Sequence, residues 1–506
     1  MIIQHKNPLK NSDKGINFFN FALRSLKALS YITFLLLVIL ILQNRLFVEN
    51  SFSTVLNKVE NRILGDSEYR PTSFSELLSY SGGAINNMLE NNDYPAIKLS
   101  VEHESLLNIY NQSIEGIDRQ YYSAKLVFTQ NNEDQKMKLK IRGKGDRKIH
   151  FEDINSMSFR ANLKGQDRIF GVEEFSLQDP IMRNYTWEYL IADTFLNQRL
   201  LTVRSWPVYF YVNGDSKGIY SLEEVPSKET IEQQKRKNGP IFGLDEKVSV
   251  SIDSKLDPYE LKYWESNPMF IGSKNLLYES FSSSLNGEAF SSEVFDMEEW
   301  AKYFALIDLF GAFHGAVPKS VKFYYNPVDG LFQPLLFDAH LGAGDFNNFI
   351  LLDFVSGLEK TACEWICQDK EFFISFLKNK QFLESYLRYL KEFSSSPFLL
   401  NIQDAYNDKF KKLDNHFYAN LSPSDAVLNR GLSLYYFKMD RLRARQKQII
   451  NKLKVFTDKQ PVNNYKPNDY ASRLDVPSGV EVITIKDFNL SGDYLNIQKP
   501  TIYIFE

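Results

Sequence analysis

The chain has 506 residues, enough for two or three domains, with 43% hydrophobic and 24% charged residues, the make-up of an ordinary globular protein. Its formal net charge of −4 excludes the global electrostatic footprint of a nucleic-acid-binding protein. Forty Phe and 28 Tyr are high counts. We assign them to large cores; sugar-contacting surfaces are the other use of such residues.

In chain order, residues 1–27 form a basic tail carrying Lys6, Lys10, Lys14, Arg24 and Lys27. An uncharged apolar run follows from Ala28 to Leu42, extended by Leu46-Phe47-Val48. The sequence predicts a transmembrane signal-anchor over 28–46, slightly short of the roughly 20 residues a bilayer needs. The positive-inside rule then places the N-terminus in the cytoplasm and the main domain outside. The long preceding tail and the lack of a small-x-small site argue against a cleaved signal peptide. Residues 47–94 read as a polar spacer.

Residues 95–245 read as a sheet-rich lobe. Alternation marks strands at Pro95–Val101, Tyr121–Phe128 and Lys136–Ile141. Phe159, Ala161 and Leu163 alternate with Ser158, Arg160, Asn162 and Lys164. Two runs rich in β-branched and aromatic residues flank Asn213-Gly214 and Lys217-Gly218, a strong hairpin signal between 208 and 225. One helix interrupts this lobe, with Trp187, Leu190, Ile191, Thr194 and Phe195 at helical spacing; Arg183 at its start anchors either a loop or a phosphate.

Residues 246–460 read as a helical lobe. A capping-box-like Asp296–Glu299 precedes Trp300, Tyr303, Phe304 and Ile307 on one face. A second hairpin, 321–326 with 332–337, ends on Asp338-Ala-His-Leu-Gly342. Amphipathic helices are predicted at 370–395 and 424–455, the latter with the basic run Arg441–Lys447 as a solvated face. Residues 461–506 form a β-strand tail. The two cysteines, Cys363 and Cys367, admit a bridge only in a loop or distorted turn; metal binding has no second pair to support it.

Period-2 alternation puts Tyr220, Leu222 and Glu224 on one strand face. A carboxylate on an apolar face requires a cation, and Arg160 on a neighbouring strand is the candidate. The pair is either a structural cross-sheet ion pair or a phosphate-orienting pair of the protein-kinase kind. Asp338 stands where a carboxylate leaves a hydrophobic strand for a small-residue loop, as a metal ligand or a turn aspartate.

These residues fall in an ordered set of motifs. Arg142-Gly143, Asp146-Arg147, His150-Phe151 and Ser158-Phe159-Arg160 are followed by Phe175–Gln178, Pro180 and Arg183-Asn184. The hairpin with Glu224, Gly239-Pro240-Ile241, Phe323–Pro327 and Phe337-Asp338 complete it. Over roughly 95–345 the chain resembles the CotH kinase family, named for a spore-coat protein. The resemblance implies an α+β protein: a divergent two-lobed protein-kinase-like domain, here between the N-terminal transmembrane helix and the short β tail.

It also implies a kinase using ATP and Mg²⁺ or Mn²⁺ to phosphorylate Ser or Thr of a surface or envelope protein. Arg160, Lys164, Arg183 and Glu224 would position the nucleotide phosphates, Asp338 with Ser320 would hold the metal, and His314 would orient the acceptor. In the family the loop before the second hairpin carries an Asp and a metal-binding Asn; here His314 or Gly315 falls at the acid's position and Ser320 at the Asn's. A lysine common on the upper strand is replaced by Asn162. These substitutions and the open β tail motivate the alternative, a catalytically inactive kinase-like scaffold for cell-surface protein or exopolysaccharide assembly. The expected partners are the lipid bilayer through 28–46, the envelope substrate and exopolysaccharide machinery, and no nucleic acid.

Overall fold

A computed structural model describes residues 94–116, 119–145, 150–151, 157–245, 255–339, 349–356, 369–420 and 437–458. The chain divides into two compact units, residues 1–450 and 451–506. Of the second, only 451–458 is described. The spacer (apart from its last residue), the segment 28–46, Cys363, Cys367 and the tail from 461 lie outside the described residues.

The first sheet closes on itself, with burial alternating along its strands. Strands β1 (Ala96–Ser100), β2 (Tyr122–Gln130), β3 (Glu133–Gly143), β4 (Phe159–Leu163) and β5 (Glu174–Gln178) run in spatial order. The short β6 (Leu201–Thr202) leaves for a second sheet, and β7 (Ser205–Val212) and β8 (Asp215–Glu224) complete a closed barrel ordered β1-β2-β3-β4-β5-β8-β7. Every pairing is antiparallel except the closing one, where Ala96–Leu99 lie parallel to Tyr209–Val212. Inside pack Ile97, Leu99, Leu126, Leu139, Phe159, Ala161, Phe175, Val208, Phe210 and Leu222, all at most 2% exposed. The β7–β8 hairpin turns through Asn213 (φ 50°) and Gly214 (φ 93°), the positive-φ pair its sequence demands. Asn213 also accepts the Val101 N–H at 2.9 Å, fastening the turn to β1.

The second sheet is ordered β10-β9-β11-β12-β6, with β9 at Ile241–Leu244, β10 at Leu256–Pro258, β11 at Lys322–Asn326 and β12 at Leu331–Leu336. Only β6 and β12 pair in parallel. The principal helices are α1 (His103–Glu115), α2 (Thr186–Asn197), α3 (Pro268–Leu285), α4 (Met297–Phe310), α5 (Lys370–Leu377), α6 (Lys380–Phe393), α7 (Lys411–Asn420) and α8 (Met439–Asp458). Asp296 caps α4 by accepting the Glu299 N–H at 3.1 Å. The predicted helix 370–395 is two helices, because Asn379 accepts the Phe382 N–H at 3.1 Å and restarts the chain as α6.

The aromatics do form core. Trp300 of α4 is fully buried, with ring centroids 5.7, 5.5 and 4.7 Å from Phe304, Phe323 and Phe376. Its indole N–H donates to the Phe332 carbonyl at 2.9 Å.

Three expectations are corrected. The domain is not a clearly two-lobed kinase fold: the parallel closure of β1 onto β7 makes the sheet-rich part a barrel, and a five-stranded sheet runs through the part read as helical. Single-pass membrane anchoring, and the localisation built on it, are not supported. No helix among the described residues is long and apolar enough to cross a membrane; the longest, α8, is studded with Lys and Arg. The third concerns the basic run on α8, which is not a solvated face throughout. Arg445 is 2% exposed and donates to the Asp308 and Phe349 carbonyls, the latter at 2.9 Å. Asp308 lies near the C-terminus of α4, where carbonyls left over by the helix and its dipole favour a cation.

Candidate active site

Register alone separates Glu224 from Arg160. Glu224 lies opposite Phe175, and Phe175 opposite Ala161, all on the barrel's interior face. Arg160 lies opposite Ser176, which lies opposite Glu223, on the outer face. The carboxylate on the apolar face does have its cation, but it is Arg204. Glu224 Oε1 accepts from Arg204 N and Nε at 2.8 and 3.0 Å, and Oε2 from Nη2 at 2.5 Å. The Arg204 guanidinium rests 5.0 Å from the Trp206 ring. Arg160 instead lies 3.6 Å from Glu174, and Lys164 is exposed.

The acid that meets chemistry is the neighbour, Glu223. At the end of β3, Lys144 donates its Nζ to Glu223 at 2.6 Å and to Gln178 at 2.8 Å. Gln178 donates to the other Glu223 oxygen at 3.0 Å. Gly145 (φ +90°) lets the chain turn away here, and a Cβ on it would meet the His150 ring at 2.1 Å. His150 Nδ1 is in turn 3.0 Å from Ser158 Oγ.

Arg183 links this pair to the second sheet. It ends a 3₁₀ turn, Pro180–Arg183, capped by Asp179, which accepts the Ile181 N–H at 3.0 Å. Asn184 and Tyr185 take positive φ, turning the chain sharply into α2. Arg183 Nε lies 3.4 Å from Glu223 Oε2, while Nη1 pairs with Asp338 Oδ1. Asp338, just past β12, adopts φ 57°, a left-handed position that Asp tolerates. His314 Nδ1 is 3.2 Å from Asp338 Oδ2, 3.1 Å from the Asp338 carbonyl and 3.3 Å from Ser320 Oγ.

Arg183, Glu188, Ser205, Glu223, Phe337 and Asp338 thus line one small cleft between the barrel and the second sheet. Of the predicted residues, the fold gathers Arg183, Asp338, His314 and Ser320, and leaves Arg160, Lys164 and Glu224 outside. Lys144, Gln178, Glu188 and Glu223 were not singled out from sequence. The signal for Glu223 was its place opposite the apolar face of β8, together with Ser221, on a strand that turns out to be buried on both sides.

Burial and charge set the protonation states. Burial pulls the Lys144 ammonium down to about 8, against the opposing pull of Glu223. Burial favours the neutral form of Glu223, but Lys144 and Arg183 outweigh it and hold the carboxylate ionised. Burial also opposes the Arg183 charge, yet Asp338 and Glu223 keep it firmly protonated. Burial, with the Glu223 charge beside it, pushes Glu188 up to about 7; its carboxylate accepts from Ser205 at 2.8 Å and Ser221 at 3.2 Å. Burial and the Lys144 charge drive His150 down to about 3, so it is neutral.

A family model described as CotH kinase protein matches residues 139–421, more than half of the chain, and that span contains every residue of the cleft. The chain belongs to the CotH kinase family. No curated protein matches it. Membership makes a kinase-like function the coarse reading, and it suggests ATP and a divalent metal.

The CotH cleft can be tested for fit to that metal. Mg²⁺ or Mn²⁺ asks for several open oxygen ligands. Asp338 presents a carboxylate whose two oxygens already face the Arg183 guanidinium and His314 Nδ1. Ser320 Oγ is directed to the same imidazole nitrogen. Among the described residues no group of three or more His, Cys, Asp or Glu is arranged to hold a metal ion. The donor set of the described residues, with both Asp338 oxygens facing other side chains, does not fit a divalent cation. It does offer what phosphate recognition needs, a guanidinium and an ammonium held by buried carboxylates.

Proposed function

We propose that this CotH protein is a kinase-like phosphotransferase that binds ATP in the cleft and passes its terminal phosphoryl group to a Ser or Thr hydroxyl of a protein. The observation that carries this reading is the buried Lys144–Glu223 pair joined through Arg183 to Asp338, with Glu223, Arg183 and Asp338 lining the cleft and Lys144 held on Glu223. Phosphoryl transfer asks the protein chiefly for positioning and charge neutralisation. Lys144 and Arg183 meet the triphosphate oxygens, and Glu223 and Gln178 hold the Lys144 amine in place. The bond between the terminal phosphorus and its bridging oxygen breaks, a bond to the acceptor oxygen forms, and ADP departs. The acceptor's proton passes to His314 when Nδ1–H is donated to Asp338, or to solvent.

A specific observation favours a second reading, a nucleotide-binding scaffold without transfer. His314 is only 6% exposed and sits where the family's acid falls. One experiment separates the two: the full chain is incubated with ATP labelled at the terminal phosphate, with itself and a generic Ser/Thr-rich protein as acceptors, alongside Lys144→Ala and Glu223→Gln. Transfer that both variants abolish supports the kinase. Binding without transfer supports the scaffold, and transfer that survives both variants overturns the assignment of the cleft.

A further inference from the structure

The misfit between the donor set and a divalent metal is itself informative. We propose that Arg183 supplies, as part of the chain, the positive charge on Asp338 that a metal ion would otherwise supply, so that the cleft takes a nucleoside triphosphate as the free, metal-less anion. This rests on the reading of the cleft as an ATP site and concerns how that site neutralises its ligand.

Three observations converge on it. First, the Arg183 side chain bridges two carboxylates from different sheets, Glu223 of β8 and Asp338 after β12. It is 7% exposed, so the bridge is built into the wall. Those contacts use Nε and Nη1 of a group with five donor hydrogens, which leaves donors for phosphate oxygens. Second, a further cation stands beside the cleft. Lys322 of β11 is 3% exposed; its Nζ lies 5.0 Å from the Phe337 ring centroid and donates to the Lys319 carbonyl at 2.7 Å. The Arg183 guanidinium lies 5.8 Å from that same ring. Lys144, Arg183 and Lys322 thus bring three cationic side chains to the neighbourhood of the Glu223, Asp338 and Glu188 carboxylates.

Third, the alternative is obstructed. A metal on Asp338 would sit beside a guanidinium and in place of the His314 contact, where cation–cation repulsion at contact distance is severe in a partly buried site. An added divalent ion would have to displace Arg183 from both its carboxylates. A triphosphate only has to join them.

The test is calorimetric titration of the full chain with ATP, in excess EDTA and in millimolar Mg²⁺, with a thermal melt on every variant. Wild type is expected to bind equally in both buffers, within about twofold. Arg183→Ala should weaken binding in EDTA by about tenfold or more, the worth of a charge-assisted hydrogen bond. Asp338→Asn separates the accounts by sign. If Arg183 is the built-in cation, removing its competing carboxylate tightens ATP binding in EDTA several-fold; if Asp338 is a metal ligand, the same change abolishes binding in Mg²⁺. That variant keeps the test decisive should Arg183→Ala fail to fold. Wild-type binding that requires Mg²⁺, or loss of binding in Asp338→Asn, overturns the proposal alone. No ATP binding in either buffer overturns this proposal and the phosphotransfer reading together.

Discussion

Glu223 and Glu224 are consecutive on β8 yet serve opposite sides of the barrel wall. Glu223, which lines the cleft, has its Oε1 2.6 Å from Lys144 Nζ, and Glu224 Oε2 lies 2.5 Å from Arg204 Nη2 at the barrel's inner face. The two carboxylates are therefore expected to separate ligand binding from stability. Glu223→Gln should lower ATP affinity by about tenfold or more. Glu224→Gln should leave ATP affinity unchanged and lower the melting temperature, since it leaves a partly buried guanidinium under-paired. Titration and melting of the two variants side by side check this.

Lys144 gives the cleft a pH dependence. Its folded value is depressed to about 8 by burial, so the ammonium is present at pH 7 and lost as pH rises through 8. ATP affinity is expected to fall between pH 7 and 9. Lys144→Arg, which keeps its charge throughout, should flatten that profile whatever it does to affinity at pH 7. A flat wild-type profile would show that Lys144 does not meet the phosphates.

The Asp308–Arg445 contact is predicted to be a major determinant of stability. Asp308 is fully buried, accepting from Leu351 N at 3.0 Å and from the Tyr386 hydroxyl, while its carbonyl takes the Arg445 guanidinium. Replacing Arg445 with Leu leaves two buried carbonyls without their donor and should cost about 3–5 kcal/mol, measured by denaturant unfolding. Arg443→Leu on the same helix, an exposed position, should change stability by less than about 0.5 kcal/mol.

That contrast shows where the sequence stopped being informative. Alternation located the strands because each barrel position faces either apolar core or the outside, and Phe159, Ala161 and Leu163 are all buried. Helical spacing located α2 and α4 for the same reason. Alternation alone does not say whether a sheet closes, because closure depends on β1 pairing with β7, over 100 residues away in the chain. Nor does it name partners. The face rule correctly required a cation for Glu224, but Arg204 and Arg160 are equally basic in sequence, and only register puts one inside the wall and the other outside. Glu223 was passed over because the outer face of a strand reads as solvated until α2 is known to cover it. The basic run on α8 failed likewise: nothing local distinguishes Arg445 from Arg443.

Asp414 predicts a pH-dependent fold. Burial pushes its carboxyl up to about 7, and it accepts from the Thr186 and Tyr406 hydroxyls, the latter at 2.6 Å. The folded state thus keeps a proton that the unfolded chain, with an ordinary value of 3.8, has already released. This contribution is full below about pH 4 and is lost as pH rises through 7. The melting temperature should decline between pH 5 and 8, and Asp414→Asn should reduce the slope. A melting temperature that rises over that interval by the same amount in both proteins would contradict the assignment.

The central claim is that triphosphate lies against Lys144 in the cleft shared by Glu223, Arg183 and Asp338. An acyl-phosphate derivative of ATP, which acylates a lysine amine lying beside the bound phosphates, tests it most directly on the full chain with peptide mapping. The account predicts modification of Lys144, suppressed by excess ATP. Modification confined to other lysines, or label on Lys144 that excess ATP does not suppress, would contradict it.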